Sequence, residues 1–198
     1  MSKWQYPFPE KHLREHFGTL SPARKKLGLG PHRGTDWSNG LKPGALISAV
    51  TDGTVKLIQY SKVLGWVVVQ TGWANGKTLY VGYCHLFCST HGATCKGPAI
   101  GCETPLKDTK VGDKVKAGQK YLRLGNTGSA SSGPHLHATL SNTLKGVFSG
   151  TVYDLHAFIT KQLAAEKAAV KPSDTPTARK KTAKTKTPDK CPTCGKVL

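Results

Sequence analysis

The chain has 198 residues, with 29 Lys or Arg against 11 Asp or Glu, so its formal net charge is +18. No run approaches the roughly 18 apolar residues of a membrane span, which argues against a transmembrane helix. The strong positive charge predicts a polyanionic partner: nucleic acid, an anionic membrane surface or an anionic cell-wall polymer. The first residues lack the apolar stretch of a signal peptide, which predicts synthesis in a cytoplasm.

Residues 1–30 mix aromatic, proline and charged side chains and are predicted to form an N-terminal arm with one short helix near Lys11–Phe17. From about Leu46, short β-type runs alternate with glycine-containing turns, which is typical of an antiparallel β-sandwich or barrel. We therefore predict a mostly β fold. Thr51-Asp52-Gly53 indicates a hairpin, and residues 72–76 and 116–118 indicate further turns. The predicted strands are Leu46–Val50, Thr54–Tyr60, Trp66–Gln70, Thr78–His85, Lys110–Val115, Gln119–Leu124 and Pro134–Leu140.

The composition changes after a short closing helix that is predicted at Asp154–Ala165. One folded catalytic domain is therefore placed at residues 31–165. Residues 166–190 follow as a Lys/Thr/Pro/Ala-rich linker, predicted to be disordered because it has too few apolar residues to form a core. Residues 191–198 contain Cys191 and Cys194, which resemble half of a zinc ribbon and are equally explained as a remnant.

A histidine pair near the end of this domain is the strongest functional signal. His135 and His137 follow Gly125–Gly133, a loop of small residues, and lie two positions apart. In a strand such residues project from the same face, so both can point into one pocket. His32 and Asp36 can add a nitrogen and an oxygen ligand, which gives the three-ligand site with an open position that catalytic zinc needs. Either pair alone also occurs by chance, so the prediction depends on their combination.

In the order of its motifs the chain resembles the lysostaphin/LytM-type zinc endopeptidases, which cut peptide bonds of bacterial peptidoglycan. The resemblance spans roughly Gly30 to Leu140 and implies the LytM-type fold, a duplicated hybrid motif with short peripheral helices. The matching segments are HRGTDW at 32–37, AVTDGTV at 49–55, YCHL at 83–86, VGDKVKAGQ at 111–119, GNTG at 125–128 and GPHLH at 133–137.

Carried over residue by residue, the resemblance implies that His32, Asp36 and His137 bind zinc. It also implies that His85 and His135 are the catalytic histidines. Zinc lowers the pKa of bound water to about 7, and a neutral imidazole can accept the proton of that water. His135 is predicted to be this base, with His85 as the partner that stabilises the oxyanion, and an exchange of these two roles is left open. The chain lacks the tyrosine that some relatives carry just upstream of the first ligand.

An insertion at residues 87–109 is the largest departure, because it and the preceding strand hold four cysteines. Two disulfides, a structural zinc site to which His91 contributes, and free thiols are all compatible with the spacing. Cys84 is also explained as a small core residue of its strand. The four cysteines are Cys84, Cys88, Cys95 and Cys102.

The sequence thus predicts a zinc metalloprotease that hydrolyses peptidoglycan. Together with the basic tail, the lack of a signal peptide favours a monomeric, bacteriolytic and antimicrobial phage endolysin that is released by a holin and acts at the cell wall. The tail is predicted to bind anionic wall polymers in a salt-dependent way. A host-encoded or virion-associated wall hydrolase is a close variant. The alternatives are a catalytically inactive wall-binding or activating module and a nucleic-acid-binding protein, although the basic run lacks interleaved aromatic residues.

Overall fold

The computed structural model describes residues 3–93, 95 and 109–169, and these form a mostly β fold with two α-helices. Within those ranges no helix has the length and apolarity needed to cross a bilayer. The strands are β1 Leu13–Glu15, β2 Thr35–Trp37, β3 Leu46–Ser48, β4 Gly53–Ser61, β5 Gly65–Ala74, β6 Lys77–Leu86, β7 Lys114–Val115, β8 Lys120–Arg123 and β9 Leu136–Ser141. The helices are α1 Pro22–Lys26 and α2 Leu155–Ala169, with 3-10 turns at Glu10–His12 and Lys145–Val147.

Seven strands form one antiparallel sheet in the order β1-β2-β9-β6-β5-β4-β7, while β3 and β8 form a small second sheet. At the centre of the large sheet, β5 and β6 form a long hairpin. Its turn residues Asn75 and Gly76 have φ angles of 51° and 73°, which a two-residue turn of type I′ requires. The late strand β9 inserts between β6 and β2, so it lies beside both early histidine motifs.

Strand β5 is buried on both faces, which explains its valine-rich sequence. Trp66 and Val68 belong to the main hydrophobic core. Val67 and Val69 belong to a smaller cluster on the other face, together with Cys84. A strand that is packed on both faces in this way is a rigid support for the two strands that pair with it, β4 and β6.

The N-terminal segment and α2 close one side of the main core. Trp4 is only 2% exposed, and its ring contacts Phe158 edge to face at a centroid distance of 4.7 Å. Leu155 and Ile159 of α2 are fully buried. The mostly β, antiparallel class and the closing helix predicted from the sequence are confirmed.

The predicted hairpin at Thr51-Asp52-Gly53 is wrong. The flanking strands pair elsewhere, β3 with β8 and β4 with β5 and β7. Asp52 instead accepts a hydrogen bond from the backbone N–H of Ala117 at 2.9 Å, so the two turns at 51–53 and 116–118 are joined to each other. Local turn chemistry marks where the chain bends but does not select the partner strand.

Two further local predictions are corrected. The helix expected near Lys11–Phe17 is a single 3-10 turn followed by β1, which pairs with β2. Edge pairing in the large sheet overrides the weak helix signal of this short segment. Residues 72–74, expected in a turn, continue β5 to Ala74. The short helix α1 was not predicted, although the Ser21 side chain accepts a hydrogen bond from the backbone N–H of Arg24, as an N-cap residue does.

Candidate metal centre

Two adjacent strands position the first two candidate ligands. Asp36 in β2 lies directly opposite His137 in β9 in the antiparallel register. Directly opposite residues project from the same face of a sheet, so their side chains meet although they are far apart in sequence. His137 Nδ1 lies 2.9 Å from Asp36 Oδ1.

His32 reaches the same point from the loop before β2, and its ring is only 3% exposed. Its Nδ1 lies 3.1 Å from the carbonyl oxygen of His16, so Nδ1 carries the proton and Nε2 presents a lone pair. That Nε2 lies 3.2 Å from Asp36 Oδ1 and 3.0 Å from His137 Nδ1. A backbone carbonyl that orients the second ring nitrogen in this way is typical of metal-binding histidines.

Three candidate ligand atoms form a triangle with edges of 2.9, 3.0 and 3.2 Å, namely His32 Nε2, Asp36 Oδ1 and His137 Nδ1. Ligands at about 2.0–2.1 Å from a tetrahedral zinc ion are about 3.3 Å apart, so a small expansion of the triangle suits such an ion. A neutral His32 facing an ionised carboxylate brings two acceptors together, and a cation stabilises that arrangement. The residues therefore fit a metal, and they form one of the two candidate metal groups among the described residues.

The pKa shifts of Asp36 and His32 agree with a role of this triangle in binding a cation. Burial alone raises the pKa of the Asp36 carboxyl, but the hydrogen bonds and positive charge that the His137 and His32 rings supply when they are protonated outweigh burial and hold that pKa well below its usual value. For His32, burial lowers the pKa, while the hydrogen bond to Asp36 and its charge raise it to a net value above normal. An ionised carboxylate thus attracts a positive charge to this point.

His85 is placed by an irregularity near the end of β6. The β5–β6 register shifts between Trp66 and Val68, where three steps along β6 match two along β5. This bulge gives His85 a positive φ of 59° and redirects its side chain. His85 Nδ1 donates to the Thr127 carbonyl oxygen at 2.7 Å, so in the neutral ring Nε2 is the acceptor.

His135 lies beside His85, with ring centroids 4.6 Å apart. Its Nδ1 donates to the Gly133 carbonyl oxygen at 2.8 Å, and its Nε2 lies 3.9 Å from Asp36 Oδ2. Burial lowers the pKa of His135. Burial, followed by repulsion from His135 and His137, lowers the pKa of His85 to about 3. Both rings are therefore neutral at neutral pH.

All five residues singled out in the sequence line one cleft of about 280 Å³. Two arginines that the sequence did not indicate, Arg24 and Arg33, line it as well. Arg33 stands inside the HRGTD motif, which was a usable signal, whereas Arg24 belongs to the unpredicted helix α1. Their positive charge suits a substrate that carries carboxylates.

Gly34 is a structural requirement of the centre. A Cβ at this position would overlap His137 Cε1 and would lie 2.7 Å from His137 Nε2 and 2.8 Å from the Ala138 carbonyl oxygen. Only glycine allows the loop before β2 to approach the ring so closely.

Thr127 connects the glycine loop to the end of β6. Its hydroxyl donates to the Leu86 carbonyl oxygen at 2.9 Å and accepts from the Trp66 N–H at 3.0 Å. Its own carbonyl accepts from His85, and its side chain is fully buried. Thr127 is therefore a positioning residue for His85. The GNTG motif contained it, but nothing local separated this threonine from other loop residues.

Replacing Thr127 with valine keeps the shape of the side chain but removes its hydroxyl. The Leu86 carbonyl and the Trp66 N–H then lose this hydrogen-bond partner. We expect a loss of about 2 kcal/mol in the free energy of unfolding, measured by urea denaturation. Thr51→Val is the matched control, because Thr51 is buried and its hydroxyl has no hydrogen-bond partner among the described residues. Equal stability of the two variants would contradict the bridging role of Thr127.

The cysteines separate into two groups. Cys84 is a buried, unoxidised thiol in the smaller apolar cluster, as expected for a small core residue, and burial raises its pKa strongly. Cys88 and Cys95 lie beyond the end of β6 near His91. Cys102 and the terminal pair Cys191 and Cys194 lie outside the described residues.

Solved structures with the same architecture were found. LytU is 28% identical, with a TM-score of 0.54 over 80% of this chain and 91% of that one. The fold is LytM-like. A zinc-containing peptidase from Vibrio cholerae is 23% identical, with a TM-score of 0.53 over 78% of this chain and 39% of that one. No known protein-family profile matches the chain.

The LytM-like fold is not confined to proteins described as peptidases. A chain of the SpoIIQ–SpoIIIAH pore-forming complex is 21% identical, with a TM-score of 0.56 over 86% of this chain and 99% of that one. The architecture alone therefore does not establish catalysis. The functional conclusion has to rest on the side chains in the cleft.

Proposed function

We propose that this protein is a zinc-dependent endopeptidase that hydrolyses peptide bonds of bacterial peptidoglycan. The observation that carries the proposal is the convergence of three ligand atoms within 3.2 Å of one another, with two further neutral imidazoles in the same cleft. The likeness to LytU and to the zinc-containing peptidase supports it.

In this proposal His32 Nε2, Asp36 Oδ1 and His137 Nδ1 hold the ion. Bound zinc supplies a Lewis acid and lowers the pKa of a coordinated water to about 7. The His16 carbonyl keeps the Nδ1 proton of His32 in place, so that Nε2 remains the ligand atom. The ionised Asp36 carboxylate offsets part of the positive charge of the zinc ion.

His135 is the better general base of the two remaining histidines. Its Nδ1 proton is held by the Gly133 carbonyl, so Nε2 faces the cleft as a proton acceptor. His135 Nε2 lies 3.9 Å from Asp36 Oδ2. When this nitrogen takes up a proton, the Asp36 carboxylate stabilises the resulting imidazolium. The same atom can then return the proton to the leaving amine.

The tautomer of His85 assigns it a different part in the reaction. Its Nδ1 proton is already donated to Thr127, so Nε2 enters the cleft as an acceptor. Burial, and then repulsion from the surrounding histidines, holds the pKa of His85 at about 3, and the ring stays neutral. We assign His85 to orienting a hydrogen-bond donor of the water or the substrate, in place of the oxyanion donor expected from the sequence.

Peptidoglycan also agrees with the charge of the protein. The net charge of +18 and the arginines of the cleft favour an anionic polymer, and the phage endolysin setting is part of the same proposal. An inactive wall-binding module would not need the full set of ligands and neutral imidazoles. The basic segment 171–190, on which a nucleic-acid partner would depend, lies outside the described residues.

The proposal is tested on suspensions of purified bacterial walls of several chemotypes. We expect the protein to clear at least one of them, a chelator to stop the clearing, and zinc to restore it. Mass spectrometry of the released fragments should show new amino groups at peptide cross-links and intact glycan strands. Cleavage of glycan bonds, or binding without any cleavage on every wall type, would contradict the endopeptidase.

A further inference from the structure

A tight turn directly after β6 presents a second set of metal-binding groups. Cys88 and Gly92 form an antiparallel bridge, with N–H to carbonyl distances of 2.9 Å in both directions. Gly92 closes the turn with a φ of +71°, which favours glycine. The backbone N–H of His91 lies 3.3 Å from Cys88 Sγ and donates to it. Such a donor stabilises a thiolate.

Three side chains converge at this turn. Cys88 Sγ and His91 Nδ1 are 3.9 Å apart, and Cys95 adds a second sulfur, with all three ligand atoms within 4.8 Å of one another. Zinc–sulfur and zinc–nitrogen distances of about 2.3 and 2.0–2.1 Å place tetrahedral ligand atoms about 3.5–3.8 Å apart. The observed spacing therefore needs only a small contraction around an ion.

We propose that Cys88, His91 and Cys95 bind a second zinc ion, which stabilises the fold and takes no part in hydrolysis. Two thiolates with an imidazole form a soft donor set that selects zinc over magnesium or calcium. Both cysteine side chains are buried, at 0% and 5% exposure, so the ion is shielded from solvent on the sulfur side. A fourth protein ligand is not among the described residues of this cluster.

The position of the turn gives the second ion a structural task. Ala93, next to the cluster, accepts a hydrogen bond from the Asn126 N–H at 2.9 Å. Asn126 Oδ1 accepts from the Ser131 hydroxyl at 2.6 Å, and that hydroxyl lies 3.2 Å from His135 Nδ1. An ion at the turn thus holds the glycine loop that orients His135. The two centres share no ligand.

The zinc content of the full-length protein tests this site without any reference to activity. We expect two equivalents of zinc per chain by plasma mass spectrometry, one after Cys88→Ser, one after His137→Ala, and none after both changes. After cobalt substitution, a thiolate-to-cobalt charge-transfer band should persist in His137→Ala and disappear in Cys88→Ser. Failure of the proposed hydrolase activity would leave these counts unchanged.

Matched variants complete the test. Cys84→Ser and the pair Cys191→Ser with Cys194→Ser should each keep two equivalents, because Cys84 faces the apolar cluster and the proposal assigns no ligand to the terminal pair. His91→Ala removes an exposed ligand with little risk to folding and should weaken binding at least roughly tenfold. An unchanged zinc count in Cys88→Ser, or a Cys88–Cys95 disulfide found in peptide masses, would overturn the site.

Discussion

Replacing His137 with alanine is expected to abolish hydrolysis of the wall and to release one equivalent of zinc. His137 supplies one corner of a triangle in which no edge exceeds 3.2 Å, and the two remaining ligands cannot hold the ion tightly. Metal activation of water contributes several kcal/mol to catalysis, and each 1.4 kcal/mol is a factor of about ten. The rate should therefore fall by roughly a thousandfold or more.

Two measurements are needed for this variant: zinc content, and release of peptide fragments from the sensitive wall type. His156→Ala is the matched control, since His156 stacks on Tyr6 and is not among the residues that line the cleft. The control should keep both zinc and activity. Clearing of the wall at the normal rate by His137→Ala would remove His137 from the ligand set.

Replacing His135 with alanine is expected to separate binding of the metal from chemistry. Its Nε2 lies 3.9 Å from Asp36 Oδ2, so it is next to the ligand triangle without being part of it. Loss of a general base lowers turnover by roughly 10²–10⁴-fold, while the zinc content should stay unchanged. The measurement is kcat on a soluble cross-bridge peptide, with metal analysis of the same sample.

Added imidazole provides the internal control for His135→Ala. A small base that enters the vacated space should restore part of kcat in this variant and none in His137→Ala, where the ion is lost. Stoichiometric loss of zinc from His135→Ala would transfer His135 to the ligands. A full rate without added imidazole would assign the proton transfer to another group.

The structure brings together the five candidate site residues that the sequence indicated, and local spacing explains only part of this convergence. His135 and His137 share a face, as a period of two requires, and Asp36 stands on the neighbouring strand. His85 was found from its motif, but its orientation depends on a bulge that appears only when β6 pairs with β5. The roles of Gly34 and Thr127 were missed, because the atoms they contact lie far away in the chain.

From the residues alone came the strand-rich class, the closing helix, and a histidine–carboxylate set suited to a divalent cation. These properties depend on local periodicity and on donor chemistry, which a linear chain displays directly. Only the tertiary structure decided which strands pair, since β3 pairs with the distant strand β8 and not with β4, which follows it in the sequence. It also decided that Cys88, His91 and Cys95 converge while Cys84 is buried apart from them. Several strand pairings agree equally well with the local turn and strand signals of the sequence. The packing of side chains on both faces of the sheet selects one of them.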